Sequence, residues 1–466
     1  MDLTGWLSQI VSAIQHWETS WGGYTPHPST RVDPDALAAA LQTYLKRLRG
    51  NYPFFHPRYA GQMLKPPHPV AVLGYLAAQL INPNNHALDG GPPTSQMEKE
   101  VVQALAAMLH FPETALGHLT GGGTMANLEA LWVARCLHPE RAVAFSKEAH
   151  YTHGRMSALL QLEAVELPVD TEGRMDLEAL EAALRTGRIG TVVLTAGTTG
   201  RGVVDPIDDA LRLCRHYGCR VHVDAAYGGF FTLLAHAQAP ELAASTARHL
   251  RALAACDSVA IDPHKHGLQP YGCGAILFRD PSVGRFYRHD SPYTYFTSEA
   301  LHLGEISLEC SRPGAAAGAL WLTLQVLPLA PDRGLGPILA ACLRAARRWA
   351  ALIGASAVLR LVQPPELDIL TFYPVPPVPT ASAVDAFSQR LFEEAMGDTE
   401  DPIFLSVLRL QAESLRARWP VLVADRSEVR ILRSVLMKPE HEDYVPHLHE
   451  RLQSLVRRLQ IQGFYA

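Results

Sequence analysis

Short apolar runs alternate with stretches of helical spacing between about residues 115 and 280. The runs match the pattern of buried strands: AVAF at 142–145, GTVVLTA at 190–196, RVHVDAA at 220–226, SVAID at 258–262 and GAILF at 274–278. Helical spacing separates several of them, as at residues 176–185 and 206–217. This alternation predicts an α/β layer with a largely parallel sheet. Ligands of such sheets bind at the carboxyl ends of the strands, so candidate chemistry is sought there.

The two flanks of this region follow other patterns. The first 50 residues predict helices, one of them beginning at Asp33-Pro34-Asp35. Residues 51–95 are rich in Pro, Asn, Gly and His and are predicted to pack over other parts of the chain. Helical spacing returns at 96–110, and a long helical region after about residue 310 leads to an α+β pattern. We predict an N-terminal helical arm at 1–95, a large α/β domain at 96–325 and a small C-terminal α+β domain at 326–466.

Composition narrows the class of protein. The 466 residues are 48% apolar and 19% charged with a net charge of -5, which is typical of an ordinary globular protein. The absence of a basic excess argues against nucleic-acid binding, and the absence of a long apolar run argues against a membrane span. The N-terminus lacks the pattern of a signal peptide. Seven scattered cysteines without a C-x-x-C pair lead us to expect a reducing, cytoplasmic location.

A glycine run opens a predicted helix in HLTGGGTMANLEALWVA, residues 118–134. Backbone N–H groups at a helix start bind anions, and glycine lets a ligand approach them closely. Thr124 adds a hydroxyl donor. The run matches neither G-x-G-x-x-G nor a Walker A loop, so a nucleotide is not favoured. A plain turn is the alternative to a phosphate site.

Two further candidates follow predicted strands. Asp224 ends the strand in HVDAAYGG and either caps a turn or pairs with a cationic ring nitrogen. The small residues Ala225 and Ala226 allow a flat ring to lie close to the backbone there. His150 follows the AVAF strand and is either a surface histidine or a ring that stacks on an aromatic ligand.

Lys265 stands out because the chain has only six lysines. It follows a predicted strand in IDPHKHGLQPYG, between His264 and His266. A lysine that attacks a carbonyl needs a lowered pKa, and nearby cationic groups or desolvation lower it. A solvated loop lysine is the plain alternative. The two histidines without a nearby carboxylate or cysteine make a poor metal site.

Together these features match the needs of pyridoxal phosphate: a phosphate cradle, a carboxylate for the ring nitrogen, a stacking ring and a Schiff-base lysine. The chain here resembles the group II pyridoxal-phosphate-dependent amino-acid decarboxylases from about residue 50 to 325, and more loosely beyond. The shared motifs are D-x-H-K at 262–265, H-V-D-A-A-Y-G-G at 222–229, G-T-T followed by D-P at 197–206, and the G-G-T-x-A-N-L cradle. Residues 55–98 look most like bacterial tyrosine-type decarboxylases.

The resemblance implies a role for each matching residue. Lys265 would form the internal aldimine, and Asp224 would hold the ring nitrogen. Ala226 would lie under the ring, and His150 would stack on its other face. Gly123 and Thr124 would bind the phosphate, while Thr199, Asp262 and His264 would line the cofactor. The proton donor after CO2 loss best matches Tyr293, with Tyr295 as second choice. Two positions depart from the family pattern: the cradle has Gly121 and Met125 where relatives often carry Ser and Glu.

The resemblance also implies the type I fold of PLP enzymes, a homodimer formed through the N-terminal arm, and α-decarboxylation of an L-amino acid. An aromatic, tyrosine-like substrate is favoured, and five side chains are candidates to line its pocket: His56, Tyr59, His86, Ser95 and Phe296. The alternatives are an aldehyde synthase or aminotransferase on the same scaffold and a decarboxylase of an acidic amino acid. A metal enzyme built on the histidines around Lys265 and a non-catalytic dimeric scaffold are the alternatives outside PLP chemistry.

Overall fold

The computed structural model describes residues 1–288 and 307–463. Its strands fall into two groups along the chain, one before residue 280 and one after residue 358. Numbered in chain order they are β1 (Leu116–Thr120), β2 (Ala142–Ser146), β3 (Ala164–Leu167), β4 (Ile189–Thr195), β5 (Arg220–Asp224), β6 (Ser258–Ile261), β7 (Gly274–Phe278), β8 (Leu359–Leu361), β9 (Ile369–Pro374), β10 (Ser406–Gln411) and β11 (Glu428–Val435).

Helices precede, separate and follow the strands. They are α1 (Leu3–Ser20), α2 (Pro34–Leu48), α3 (Pro69–Ile81), α4 (Pro92–Met108), α5 (Gly123–Leu137), α6 (Thr152–Leu159), α7 (Leu177–Leu184), α8 (Ile207–His216), α9 (Thr232–His236), α10 (Ala244–Arg251), α11 (Gly314–Val326), α12 (Leu335–Gly354), α13 (Ala381–Gly397), α14 (Ala412–Arg418) and α15 (His441–Ile461).

The first seven strands form one sheet in the order β1-β7-β6-β5-β4-β2-β3. Neighbours from β6 through β3 pair in parallel, and β7 runs antiparallel to both β6 and β1. Every residue of β2, β4 and β7 is buried, as expected of a sheet covered by helices on both faces. The predicted α/β fold with a largely parallel sheet is therefore confirmed.

Five strands of this sheet lie where the apolar runs predict them, whereas no such run marks β1 or β3. β1, with the sequence LGHLT, contains a glycine and a buried histidine, so it lacks a continuous apolar run. β3 is an edge strand with two exposed positions. The local sequence pattern does not predict such strands, because they form through pairing with a neighbouring strand.

Helix α3 lies inside the predicted helical arm at 1–95, but the pattern of residues 51–95 does not single it out as a helix. Its sequence, PVAVLGYLAAQLI, is apolar around the whole helix and has no alternation of polar and apolar faces. His68 caps its first turn and Pro69 occupies the first helical position, while Asn82 ends it in the left-handed conformation. It packs against α11, as a segment that covers other parts of the chain should.

The remaining strands form a second, antiparallel sheet in the order β10-β11-β9-β8. Residues of the predicted N-terminal arm join it: Tyr59 forms a bridge with Phe404, and the N–H of Val435 donates to the carbonyl of Ala60. The segment that follows α2 is thus built into the C-terminal part of the molecule.

The first two helices bury none of their residues within this chain. Asp33 caps α2 as predicted, its carboxylate accepting from the N–H of Asp35. The apolar side chains of α2 lie along one stripe and are exposed: Leu37, Leu41, Tyr44, Leu45 and Leu48. Among the described residues, no helix combines the length and apolar character needed to cross a bilayer.

A buried ion pair links the residues just before α11 to helix α4 and strand β1. Nη1 of Arg312 lies 2.6 Å from Oε1 of Glu98, and the two side chains are 6% and 1% exposed. Arg312 also donates to the carbonyls of Leu119 and Asn85, while Glu98 accepts from the N–H of Leu119 and the amide of Asn85. Four segments of the chain therefore meet at one pair of charges.

Arg312→Met is expected to lower the free energy of unfolding by about 3 kcal/mol or more, because it leaves the carboxylate of Glu98 buried without its cation. Urea unfolding monitored by tryptophan fluorescence measures the change. The matched control is Arg344→Met, whose exposed pairs with Glu241 and Glu442 contribute at most about 1 kcal/mol. Equal unfolding midpoints for the two variants would contradict the assignment.

Candidate active site

A cavity of about 520 Å³ opens at the carboxyl edge of the parallel strands. Thr195 and Asp224 come from the ends of β4 and β5, and Asp262 follows β6 directly. The structure brings together in this cavity all nine of the candidate site residues that it describes: Gly123, Thr124, His150, Thr199, Asp224, Ala226, Asp262, His264 and Lys265.

The glycine run forms one wall of the cavity at the start of α5. Gly122 has φ +146°, which a residue with a side chain rarely adopts, and a Cβ on Gly274 would lie 2.6 Å from Cα of Gly122. Glycine at both positions lets the run lie against β7. Helix α5 has no side-chain cap, and the N–H groups of Gly123 and Thr124 donate to no acceptor among the described residues. They form a cradle suited to an anion.

Asp224 stands at the end of β5 with a histidine behind it. Its Oδ2 lies 3.0 Å from Nε2 of His153, whose side chain is completely buried, and its Oδ1 accepts from the N–H of Ala226 at 3.2 Å. Burial alone would raise the pKa of Asp224, but His153 and Lys265 outweigh it and hold the pKa well below the usual value. The cavity therefore contains a fixed negative charge.

Lys265 lies beside a second carboxylate. Its Nζ is 3.1 Å from Oδ2 of Asp262, and Nε2 of His264 lies 3.5 Å from the same oxygen. Oδ1 of Asp262 is buried and has no hydrogen-bond partner among the described residues. Lys265 is 22% exposed, so its amine is reachable from the cavity while its partner stays buried.

The two histidines that line the cavity are neutral near pH 7. Burial lowers the pKa of His150 and of His264, and nearby Lys265 lowers both further. Nδ1 of His150 lies 2.7 Å from the hydroxyl of Thr152, which fixes the orientation of the ring. The small Ala226 and the rings of these histidines leave room for a flat ligand.

Sequence reasoning missed two residues here. His153 lies one turn along α6 from His150, and nothing in the pattern HYTHGR shows that its ring reaches Asp224. Glu309 lines the cavity, and its Oε2 accepts from the N–H of Gly121 at 2.9 Å. It is 188 residues distant in sequence, so only the tertiary structure brings it to the cradle.

The side chains predicted to line a substrate pocket do not meet in this cavity. None of the four that the structure describes, His56, Tyr59, His86 and Ser95, is among the residues that line it in the single chain. The fifth, Phe296, lies outside the described residues, as do the two candidate proton donors Tyr293 and Tyr295.

The two histidines that flank Lys265 lie in different environments. His264 lines the cavity, whereas Nε2 of His266 lies 3.2 Å from Oδ2 of Asp368 in the interior. Within residues 1–288 and 307–463, no three His, Cys, Asp or Glu side chains group as a metal site.

The arrangement fits pyridoxal phosphate. The uncapped start of α5 suits a phosphate, and a Cβ on Gly123 would lie 2.9 Å from Oδ2 of Asp262, so glycine keeps this wall open. Asp224 offers an ionised carboxylate to a ring nitrogen, and Lys265 offers a reachable amine. The phosphate, the ring nitrogen and the aldehyde of the cofactor thus each have a matching side chain or backbone group in one cavity.

Comparisons with known proteins agree with this chemistry. Residues 54–373 match the family model described as the pyridoxal-dependent decarboxylase conserved domain. An L-tyrosine decarboxylase of Enterococcus faecium is 30% identical over 68% of this chain and 69% of its own. A probable L-aspartate decarboxylase of Pyrococcus furiosus is 29% identical over 74% of this chain and 89% of its own.

The fold is also that of solved members. A crystal structure of Oryza sativa TDC with PLP and tryptamine superposes with a TM-score of 0.77, at 18% identity, over 98% of each chain. The predicted type I fold of PLP enzymes is therefore confirmed. The chain belongs to the group II pyridoxal-phosphate-dependent decarboxylases, and it is a carboxy-lyase that acts on an amino acid.

Proposed function

We propose that this enzyme removes the α-carboxylate of an aromatic, tyrosine-like L-amino acid to give the amine and CO2. The proposal rests on the charged side chains that line the cavity. Among the described lining residues, Lys265 is the single permanent cation, and Glu309 adds a carboxylate. A distal carboxylate on the substrate would find no arginine among these residues and would be repelled by Glu309.

The residues that would hold the cofactor are those that the family resemblance implies and that line the cavity. Gly123 and Thr124 would bind its phosphate through their N–H groups and the threonine hydroxyl. Asp224 would hold the proton of its ring nitrogen, and Lys265 would hold it covalently through Nζ. Three residues would line the space for its ring, namely Ala226, His150 and Thr199, with Asp262 and His264 beside Lys265.

Bound pyridoxal phosphate supplies a ring that accepts the electron pair left when CO2 departs. The role of this chain's residues is to keep a proton on the ring nitrogen, because a protonated ring accepts electrons more readily. The low pKa of Asp224 means that the carboxylate stays ionised and stabilises that proton. His153 contributes by donating to Oδ2 of Asp224 from the side away from the cavity.

The final step needs a proton at the substrate carbon. We assign its donor to Tyr293, a phenol in the segment between the two described ranges. An aldehyde synthase or an aminotransferase shares the cofactor residues, so the product distinguishes these alternatives from the proposal.

A second copy of the chain is proposed to cover the exposed stripe of α2. Five large apolar side chains on one face of a helix exceed what a single globular chain usually exposes. Their spacing of i, i+4, i+7, i+8 and i+11 forms a face for another helix. A homodimer through this surface agrees with the homodimer through the N-terminal arm that the family resemblance implies.

The substrate prediction is tested with a panel of L-amino acids and separate detection of amine, CO2, aldehyde and ammonia. We expect amine and CO2 from tyrosine or another aromatic substrate, with kcat/KM at least about tenfold above that for aspartate and glutamate. L-2,4-diaminobutyrate belongs in the panel because Glu309 suits a cationic side chain. Preferred turnover of aspartate, or aldehyde as the main product, would contradict the proposal.

Lys265→Ala serves as the control for that panel, since it removes the covalent attachment and should abolish turnover. Borohydride reduction of the wild type should attach the cofactor to the peptide that contains Lys265. Attachment to any of the other five lysines would refute its role.

Asp224→Asn is expected to reduce kcat by about a hundredfold, or roughly 3 kcal/mol, because an amide cannot hold the ring nitrogen protonated. His153→Phe keeps a buried ring but removes the donor to Oδ2, so a smaller loss of about tenfold is expected. The double variant should lose little more than Asp224→Asn alone, because His153 acts through Asp224. Additive losses in kcat would show that the histidine acts independently.

Leu41→Glu is expected to dissociate the proposed dimer, because it places a charge in the middle of the apolar stripe. Sedimentation velocity measures the mass of the particle. Ala39→Glu is the control, since Ala39 lies on the opposite face of α2. A wild-type particle with the mass of one chain, or dissociation by both substitutions, would contradict this interface.

A further inference from the structure

A buried carboxylate from the C-terminal part of the molecule contacts two residues that adjoin the site, Tyr227 and His266. Asp368 directly precedes β9, and its side chain is completely buried. Its carbonyl accepts from the N–H of Leu436 at 2.8 Å, so the backbone at this position is tied to the end of β11. The carboxylate thus projects from a rigid point of the small sheet.

The two oxygens of Asp368 contact two different loops of the site. The hydroxyl of Tyr227 donates to Oδ1 at 2.5 Å, and Tyr227 follows Ala226 and itself lines the cavity. Nε2 of His266 lies 3.2 Å from Oδ2, outside hydrogen-bond alignment, and His266 follows Lys265. One carboxylate therefore contacts both Tyr227, which follows Ala226, and His266, which follows Lys265.

The ring of His266 is held between aromatic neighbours. Its centroid lies 4.8 Å from that of Tyr227 and 4.8 Å from that of Phe231, with the planes inclined by 67° and 66°. Tyr227, His266 and Asp368 therefore form one packed cluster. A shift of Asp368 changes the support of both loops at once.

The segment before β9 also contacts loops between the strands of the large sheet. Glu366 pairs with Arg174 at 2.7 Å, and its other oxygen accepts from the N–H of Val204. Gln363 donates to the carbonyl of Glu172. These contacts attach the segment along its length, and Asp368 is its contact with the residues next to the site.

The charge of Asp368 is retained in the interior. Burial alone would raise its pKa, but His266 and Tyr227 lower it below the usual value. Asp368 also interacts electrostatically with the partly buried Lys65 and the buried Arg433. Burying a carboxylate costs free energy unless its partners compensate for lost water, and here the partners adjoin the site.

We infer that Asp368 is a positioning residue for the decarboxylation, an inference that rests on the proposed roles of Lys265 and Ala226. It holds the loop of Ala226 through Tyr227 and the loop of Lys265 through His266. The distance between Ala226 and the amine of Lys265 then depends on a residue that directly precedes a strand of the second sheet. An error of about 1 Å in such a placement costs on the order of a hundredfold in rate.

The test compares Asp368→Ala, Asp368→Asn and Tyr227→Phe, each loaded with pyridoxal phosphate and corrected for bound cofactor. Asp368→Ala should reduce kcat per loaded site by about tenfold or more while KM changes less than about threefold. It should also weaken the visible circular dichroism of the bound cofactor, which reports how firmly the ring is held. Asp368→Asn keeps an acceptor for Tyr227 and should restore part of both signals.

Tyr373→Phe is the matched control for Tyr227→Phe, because Tyr373 is buried in β9 and packs with Trp419. It should leave kcat and the dichroism unchanged, whereas Tyr227→Phe should reduce both. This pair carries the test if Asp368→Ala does not fold.

A lower melting temperature with kcat per loaded site and dichroism within about twofold of wild type would overturn the inference, since Asp368 would then be structural only. A wild type that forms no visible band with pyridoxal phosphate would instead overturn the proposed function and this inference together. The two failures are therefore distinguishable.

Discussion

An ionised carboxylate at the end of β5 is the constraint on which the site depends. Asp224 is buried, and its charge persists because His153 contacts one oxygen and the N–H of Ala226 donates to the other. The parallel sheet makes this possible, because it brings the ends of β2, β4, β5 and β6 to one edge. The glycine cradle at the start of α5 lines the same cavity, so an anion site and a fixed negative charge face one ligand space.

The second sheet contributes to the surroundings of the site through the segment that precedes β9. The segment before β9 attaches to the large sheet through Gln363 and Glu366 and ends at Asp368. Because Asp368 contacts Tyr227 and His266, the loops on either side of the cavity share one support. In this arrangement, the positions of the loops that carry Ala226 and Lys265 depend on the packing between the two sheets, because packed interiors transmit small displacements.

The charges of the cavity also limit which substrates suit it. Asp224, Asp262 and Glu309 are acidic, and the two lining histidines are neutral near pH 7 because burial lowers the pKa of each. Under the proposal made above, an amino group and an aromatic side chain suit this environment, whereas a second carboxylate does not. Family membership establishes decarboxylation, and the charge of the cavity is the basis of the proposed substrate class.

The sequence by itself determined the α/β class, five strands of the large sheet, the glycine cradle and the set of residues that meet in the cavity. The class, the strands and the cradle follow from local features, namely apolar runs and a glycine run before a helix. His150, Asp224 and Lys265 are candidates because they follow strands, whereas Thr199 and Asp262 enter through the family resemblance. The sequence did not reveal β1, β3 or α3, since an edge strand is defined by its partner and a wholly apolar helix has no periodicity. His153, Glu309 and Asp368 were decided only by the tertiary structure. Their partners lie 71, 188 and 141 residues away along the chain, and no local pattern records which distant side chains folding brings into contact.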